Sequence, residues 1–125
     1  MRIFSAMFPL ACLAAGFMMM LIVMPAKADY INGAQLQQYC LSQNPNDDAI
    51  CIVYITGAVD ALTTMDLIAD KTNGTERQIC IPEQTSPDDL KSVVMNWLKI
   101  KQENLDFAAT LLILGAVQDA YSCSK

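Results

Sequence analysis

What restricts this chain most is its cysteine set. Five cysteines occur in 125 residues, and no histidine. Cys12 lies in an apolar leader, and Cys40, Cys51, Cys80 and Cys123 are spread over the remainder. An even count in a small exported domain reads as disulfides, and in an intracellular one as metal ligation or redox chemistry. The paired C-x-x-C spacing of a zinc site is missing, so no metal is expected. Without imidazole there is no Ser-His-Asp triad and no Cys-His pair. No Gly-rich phosphate loop and no nucleophile elbow are present, so neither a cofactor nor an enzymatic activity is expected.

The leader decides between the two cysteine readings. Arg2 gives a positive start, and an uncharged apolar run extends from Ile3 to Met24. Pro25 breaks it, and Ala26 and Ala28 have the small-x-small spacing of a cleavage site. Residues 1–28 therefore read as a signal peptide cut after Ala28, which delivers the domain 29–125 to an oxidising compartment, the periplasm. The rival reading is an uncleaved anchor, since the run is long enough to span a bilayer. Lipid attachment at Cys12 is disfavoured by Pro9, which stands where a lipobox takes an aliphatic residue. Cleavage removes Arg2 and Lys27 and takes the net charge from −5 to −7. An acidic domain of this kind is not expected to bind nucleic acid. Once the leader is gone, no membrane association is expected either.

The remainder patterns as four helices. Asn32 can cap the first, through about Leu41, with Leu36 and Cys40 on one face. After the turn Gln43–Asn46, Asp47 or Asp48 is the expected cap of the longest helix. Its apolar stripe runs Ile50, Tyr54, Gly57, Ala61, Met65, Ile68, with Thr56, Asp60 and Thr63 on another side. Turn chemistry at Thr72–Thr75 ends it near Lys71. Cys80-Ile81-Pro82 is an extended bridge. Ser86 caps the third helix, with Pro87 at its first position and Asp88 and Asp89 in its first turn. Leu90, Val93, Val94, Trp97 and Leu98 form its core stripe, and Lys91 and Lys99 face water. The fourth helix is expected from near Asn104 to Tyr121, and Phe107–Val117 is apolar enough to be the most buried stretch. The fold class expected is all-α, a small bundle of about four helices. Stripes of this kind serve a monomer's core or a homodimer face.

The helix plan also orders the cysteines. Cys40 ends the first helix and Cys51 begins the second, across a tight turn. Cys80 leads into the third helix and Cys123 ends the fourth. Of the three possible pairings, Cys40–Cys51 and Cys80–Cys123 fit antiparallel neighbours best.

Few residues suggest a site. Asn44–Asp48 faintly resembles a calcium loop, but Ala49 and Ile55 stand where glycine and glutamate are required. Asp60 is a lone carboxylate without a partner acid or base. The polar run from Lys71 to Gln78 is the one long connection with varied side chains, and such loops commonly carry recognition. Within it Lys71, Asn73, Thr75, Glu76, Arg77 and Gln78 are the candidate binding residues, a plain linker being the competing reading.

The order of motifs is more specific than any one of them. Cys40 is followed by Cys51-Ile52-Val53-Tyr54-Ile55-Thr56-Gly57-Ala58-Val59-Asp60, then Cys80-Ile81-Pro82, then Ala120-Tyr121-Ser122-Cys123. This series resembles the Rap/Tai family of periplasmic immunity proteins over nearly all of 29–125. The resemblance implies a helical, non-enzymatic protein whose partner is a peptidoglycan amidase toxin delivered by type VI secretion. Binding would occlude the toxin's active site. It also implies that the shared residues are scaffold: Tyr54 packs, Gly57 lets helices approach closely, and the cysteines crosslink. Asp60 and Pro82 belong to the same motifs, and Trp97 to the amphipathic helix between them. An acid-stress chaperone of the periplasm is the alternative, and two disulfides without a histidine switch argue against it.

Overall fold

The computed structural model describes residues 31–123. The leader, the cleavage position after Ala28 and Cys12 lie outside them. Four helices follow in order: α1 (Gly33–Leu41), α2 (Pro45–Asn73), α3 (Pro87–Ile100) and α4 (Ala109–Ala120). A short 3₁₀ turn, Gln102–Asn104, precedes α4. The described residues contain no strand, only two isolated bridges, Asn32 with Ala108 and Ile79 with Ser122. The fold is all-α, and its disulfides are Cys40–Cys51 and Cys80–Cys123.

Local chemistry places most helix ends. The Asn32 side chain accepts from the Gln35 amide at 2.9 Å, and the Gln35 side chain accepts from the Asn32 amide at 3.0 Å. This reciprocal box starts α1. Ser86 and Asp89 make the same exchange at the start of α3. α2 starts earlier than the expected Asp47 or Asp48. Asn44 is its cap and Pro45 its first residue, the arrangement also seen at Ser86-Pro87. Asp47 and Asp48 lie in the first turn, where the helix dipole favours acids. Gly74, in the left-handed region at φ 64°, closes the other end of α2.

Two expectations about burial are corrected. α2 does not bury the stripe Ile50, Tyr54, Gly57, Ala61, Met65, Ile68. It buries Cys51, Ile55 and Val59, and leaves Ile50, Met65 and Ile68 between 48% and 69% exposed. The disulfide to Cys40 is the reason. Cys51 must face α1, and residues four apart follow it inward. Gly57 consequently permits no close helix approach within this fold, because a Cβ built there would meet nothing within 4 Å. Close approach occurs instead at Gly33, packed on Leu112 and Leu105, and at Gly115, under the Trp97 ring.

The second correction concerns α4, which begins at Ala109 rather than near Asn104. The residues before it are turned aside because their carbonyls serve α1. Leu105 accepts from the Ala34 amide and Phe107 from the Gly33 amide, and Ile31 accepts from Ala109. Phe107 and Leu111 are more than half exposed, so the apolar stretch is not uniformly buried. The inward side of α4 is Ala109, Leu112, Ile113, Ala116 and Val117. These meet Leu36, Leu90, Val94, Met95 and Leu98 in one core. Lys91, expected in water, is half-buried and donates to Asp48, tying α3 to the start of α2.

Candidate binding surface

The long connection between α2 and α3 is pinned at both ends and open in the middle. At one end the Gly74 and Thr75 amides donate to the Asp70 and Ala69 carbonyls. At the other, Ile79 is buried and bridges to Ser122, and the Cys80 amide donates to the Tyr121 carbonyl at 2.8 Å. The Cys80–Cys123 bond locks this end to the C-terminal end of α4. Thr75, Glu76, Arg77 and Gln78 form the exposed arch between the two anchors.

One carboxylate shapes the arch from within. Asp66, a turn before Asp70 on α2, has a side chain only 12% exposed. Its oxygens accept from the Gln78 amide at 3.0 and 3.1 Å and from the Ile79 amide at 3.0 Å. The Arg77 guanidinium comes within 4.0 Å of the same carboxylate and donates to the Ile79 carbonyl. Gln78 donates from its side chain to the Glu76 carbonyl at 2.8 Å. The arch therefore holds one shape through charge-assisted hydrogen bonds, which lowers the ordering cost of binding.

The six candidate residues divide. Glu76, Arg77 and Gln78 line an open cleft with Asp70, Ser122 and the Cys80–Cys123 bond. Thr75 stands on the arch. Lys71 and Asn73 are the last turn of α2, exposed but outside the cleft lining. Arg77 also borders a second groove, shared with Thr56, Asp60, Thr63 and Pro82. Thr56 and Thr63 spend their hydroxyls on carbonyls of their own helix, and Asp60 is exposed. Tyr54 is half-buried against the core, with its hydroxyl 3.2 Å from that of Thr110. Pro82 is exposed and its carbonyl closes a turn with the Thr85 amide. The Trp97 indole is half-buried and donates to Asp119 at 2.6 Å.

Sequence reading did not single out Asp66, Asp70 or Ser122. A signal for Asp70 did exist, because an acid in the last turn of a helix opposes the dipole. Asp66 lies about two turns inside that end, too far for the signal, and its partners on the arch come from beyond the helix. Ser122 adjoins Cys123, so the expected Cys80–Cys123 pairing already draws it toward Gln78, though nothing marks it as a lining residue.

The described residues contain no group of three or more acidic or cysteine side chains placed to hold a metal. α2 is long and apolar enough, by length and composition, to cross a membrane. In this fold it packs against α1, α3 and α4. The surface offers an anchored polar arch and cleft, suited to contact with another macromolecule.

No curated protein and no solved structure gives a match. The model of the family described as Rap1a immunity proteins matches residues 32–123. That span takes in all four helices, the arch and both disulfides, and the chain belongs to the Rap1a immunity protein family.

Proposed function

We propose that this protein is a periplasmic immunity protein that inhibits a type VI secreted peptidoglycan amidase by covering its active-site cleft with the 75–78 arch. Family membership supports the immunity role. The observation that carries the choice of surface is the arch itself, exposed in its side chains and held in its backbone by Asp66 and the Cys80–Cys123 bond. A preformed exposed loop enters a cleft without first losing conformational freedom. Inhibition of this kind needs no catalytic group. The leader 1–28 would export the chain, and cleavage after Ala28 would release it where the toxin acts.

Three experiments test this reading. In a contact competition, a strain lacking the gene should be lost beside its parent on a surface but not in liquid. The exported protein should rescue it, and disabling the parent's secretion system should abolish the effect. Equal survival with that system firing would refute the immunity role. For the surface, Glu76→Ala with Arg77→Ala should weaken affinity for the cognate amidase at least tenfold. Unchanged affinity would move the contact elsewhere. Mass spectrometry of periplasmic extract should find a chain beginning at Asp29.

A further inference from the structure

The two disulfides lie in opposite surroundings. Cys40 is 6% exposed and Cys51 fully buried, and both belong to the core that joins the four helices. Cys80 is exposed and Cys123 half-buried, and neither is a core residue. Their bond is part of the lining of the open cleft, beside Asp70, Glu76 and Ser122. Thiol–disulfide exchange needs a thiolate to come up to a sulfur, so access decides which bond reacts. A thiol reaches the first bond only if α1 parts from α2 and the core opens. It reaches the second in the intact fold.

What depends on the second bond is local. Next to it Ile79 is buried, Tyr121 packs against the core, and the Cys80 amide donates to the Tyr121 carbonyl. These contacts keep α4 and residues 79–82 in place when the sulfurs separate. The Cys123 amide reaches the Gln78 carbonyl only at 3.4 Å, a long hydrogen bond, so the crosslink is the main tie between Cys123 and the arch.

From this contrast we propose that Cys80–Cys123 is a thiol–disulfide exchange site for a dithiol, and that opening it frees one foot of the arch while Cys40–Cys51 and the helices stay closed. One thiolate of the dithiol attacks the sulfur of Cys80, the more exposed residue. The S–S bond breaks and its electron pair stays on Cys123 Sγ, which takes a proton from water. The second thiol, as its thiolate, then displaces Cys80 Sγ from the mixed disulfide, and that sulfur is protonated in turn. The protein disulfide is reduced to two thiols, and the dithiol is oxidised to a disulfide. The arch is thus set in an oxidising compartment and loosened in a reducing one. The consequence for toxin binding rests on the inhibitor reading above; the exchange itself does not.

Dithiothreitol is the probe. The oxidised, exported chain is treated with it at neutral pH, quenched with N-ethylmaleimide at intervals and mapped by peptide mass spectrometry. Cys80 and Cys123 should become alkylated about tenfold faster or more than Cys40 and Cys51, because only their bond is within reach of the reagent. Circular dichroism should show helix content unchanged at that stage, and hydrogen exchange across residues 75–78 should quicken. Reoxidation should reverse both alkylation and exchange. Two bonds that open together, Cys40–Cys51 opening first, or helix lost with the first bond would each overturn the proposal. So would an arch whose hydrogen exchange does not change. Amidase affinity of the selectively reduced chain separates this inference from the inhibitor reading. A reversible loss of about tenfold or more, the worth of a lost preformed shape, supports both. Unchanged affinity beside selective reduction and a loosened arch supports the exchange site and moves the toxin contact off the arch.

Discussion

Asp66 shows how one side chain can set the form of a surface it hardly touches. Its two oxygens hold the Gln78 and Ile79 amides. Oδ2 serves both amides and Oδ1 only that of Gln78, so asparagine there turns a donor against the Gln78 amide in either orientation. Asp66→Asn should therefore speed hydrogen exchange at Gln78 and Ile79 and weaken amidase binding about tenfold, from the loss of one charged hydrogen bond. Helix content should stay unchanged, which separates a shaped arch from a general loss of fold. The glycines predict opposite signs. Gly33→Ala pushes a Cβ to 2.3 Å from Leu112 and 3.0 Å from the Leu105 carbonyl, and should cost about 1–3 kcal/mol in chemical denaturation. Gly57→Ala meets open space inside an exposed helix, and should stabilise the monomer by up to about 1 kcal/mol. Asp89 supplies a pH signature. Hydrogen bonds from the Ser86 hydroxyl and amide hold its carboxyl below the ordinary 3.8. A lowered folded value contributes stability above the unfolded one and loses it as pH falls. The stability gap between wild type and Asp89→Ala should be full well above pH 3.8 and close on acidification below it.

Among the elements, α1 and α3 were the most legible, because their starts are written in local chemistry. Asn32 with Gln35, and Ser86 with Pro87 and Asp89, act within four residues of one another. The rotation of α2 was not legible. Its middle is apolar nearly all round, so periodicity alone finds more than one stripe, and the one it finds first is exposed. The Cys40–Cys51 bond chooses the other. The start of α4 was hidden for a different reason, since carbonyls at Leu105 and Phe107 are claimed by α1 amides distant in sequence. The two crosslinks should also differ in weight. They close separations of 11 and 43 residues. Loop entropy then gives about 3 and about 4 kcal/mol. Replacing Cys80 and Cys123 by serine should lower Tm further than replacing Cys40 and Cys51. The former pair should also weaken amidase binding, because it frees one foot of the arch.

For the whole molecule, the balance of charge shapes how a partner arrives. The proposed cleavage after Ala28 would leave thirteen acids against six bases. If the proposed toxin presents a basic surface, association should be fast at low ionic strength, and the on-rate, measured by stopped flow, should fall as salt rises while the off-rate changes little. Sequence by itself determined the helical class, the capped starts of α1 and α3, the disulfide pairing and the family resemblance. Each of these depends on neighbours along the chain or on the order of a few rigid motifs. It also marked the polar run that became the arch. Only the tertiary structure decided which face of α2 turns inward, that Asp66 holds the arch, and that Ser122 and the second disulfide wall its cleft. Those outcomes depend on contacts between segments far apart in sequence, where a crosslink or a remote carbonyl outweighs local preference.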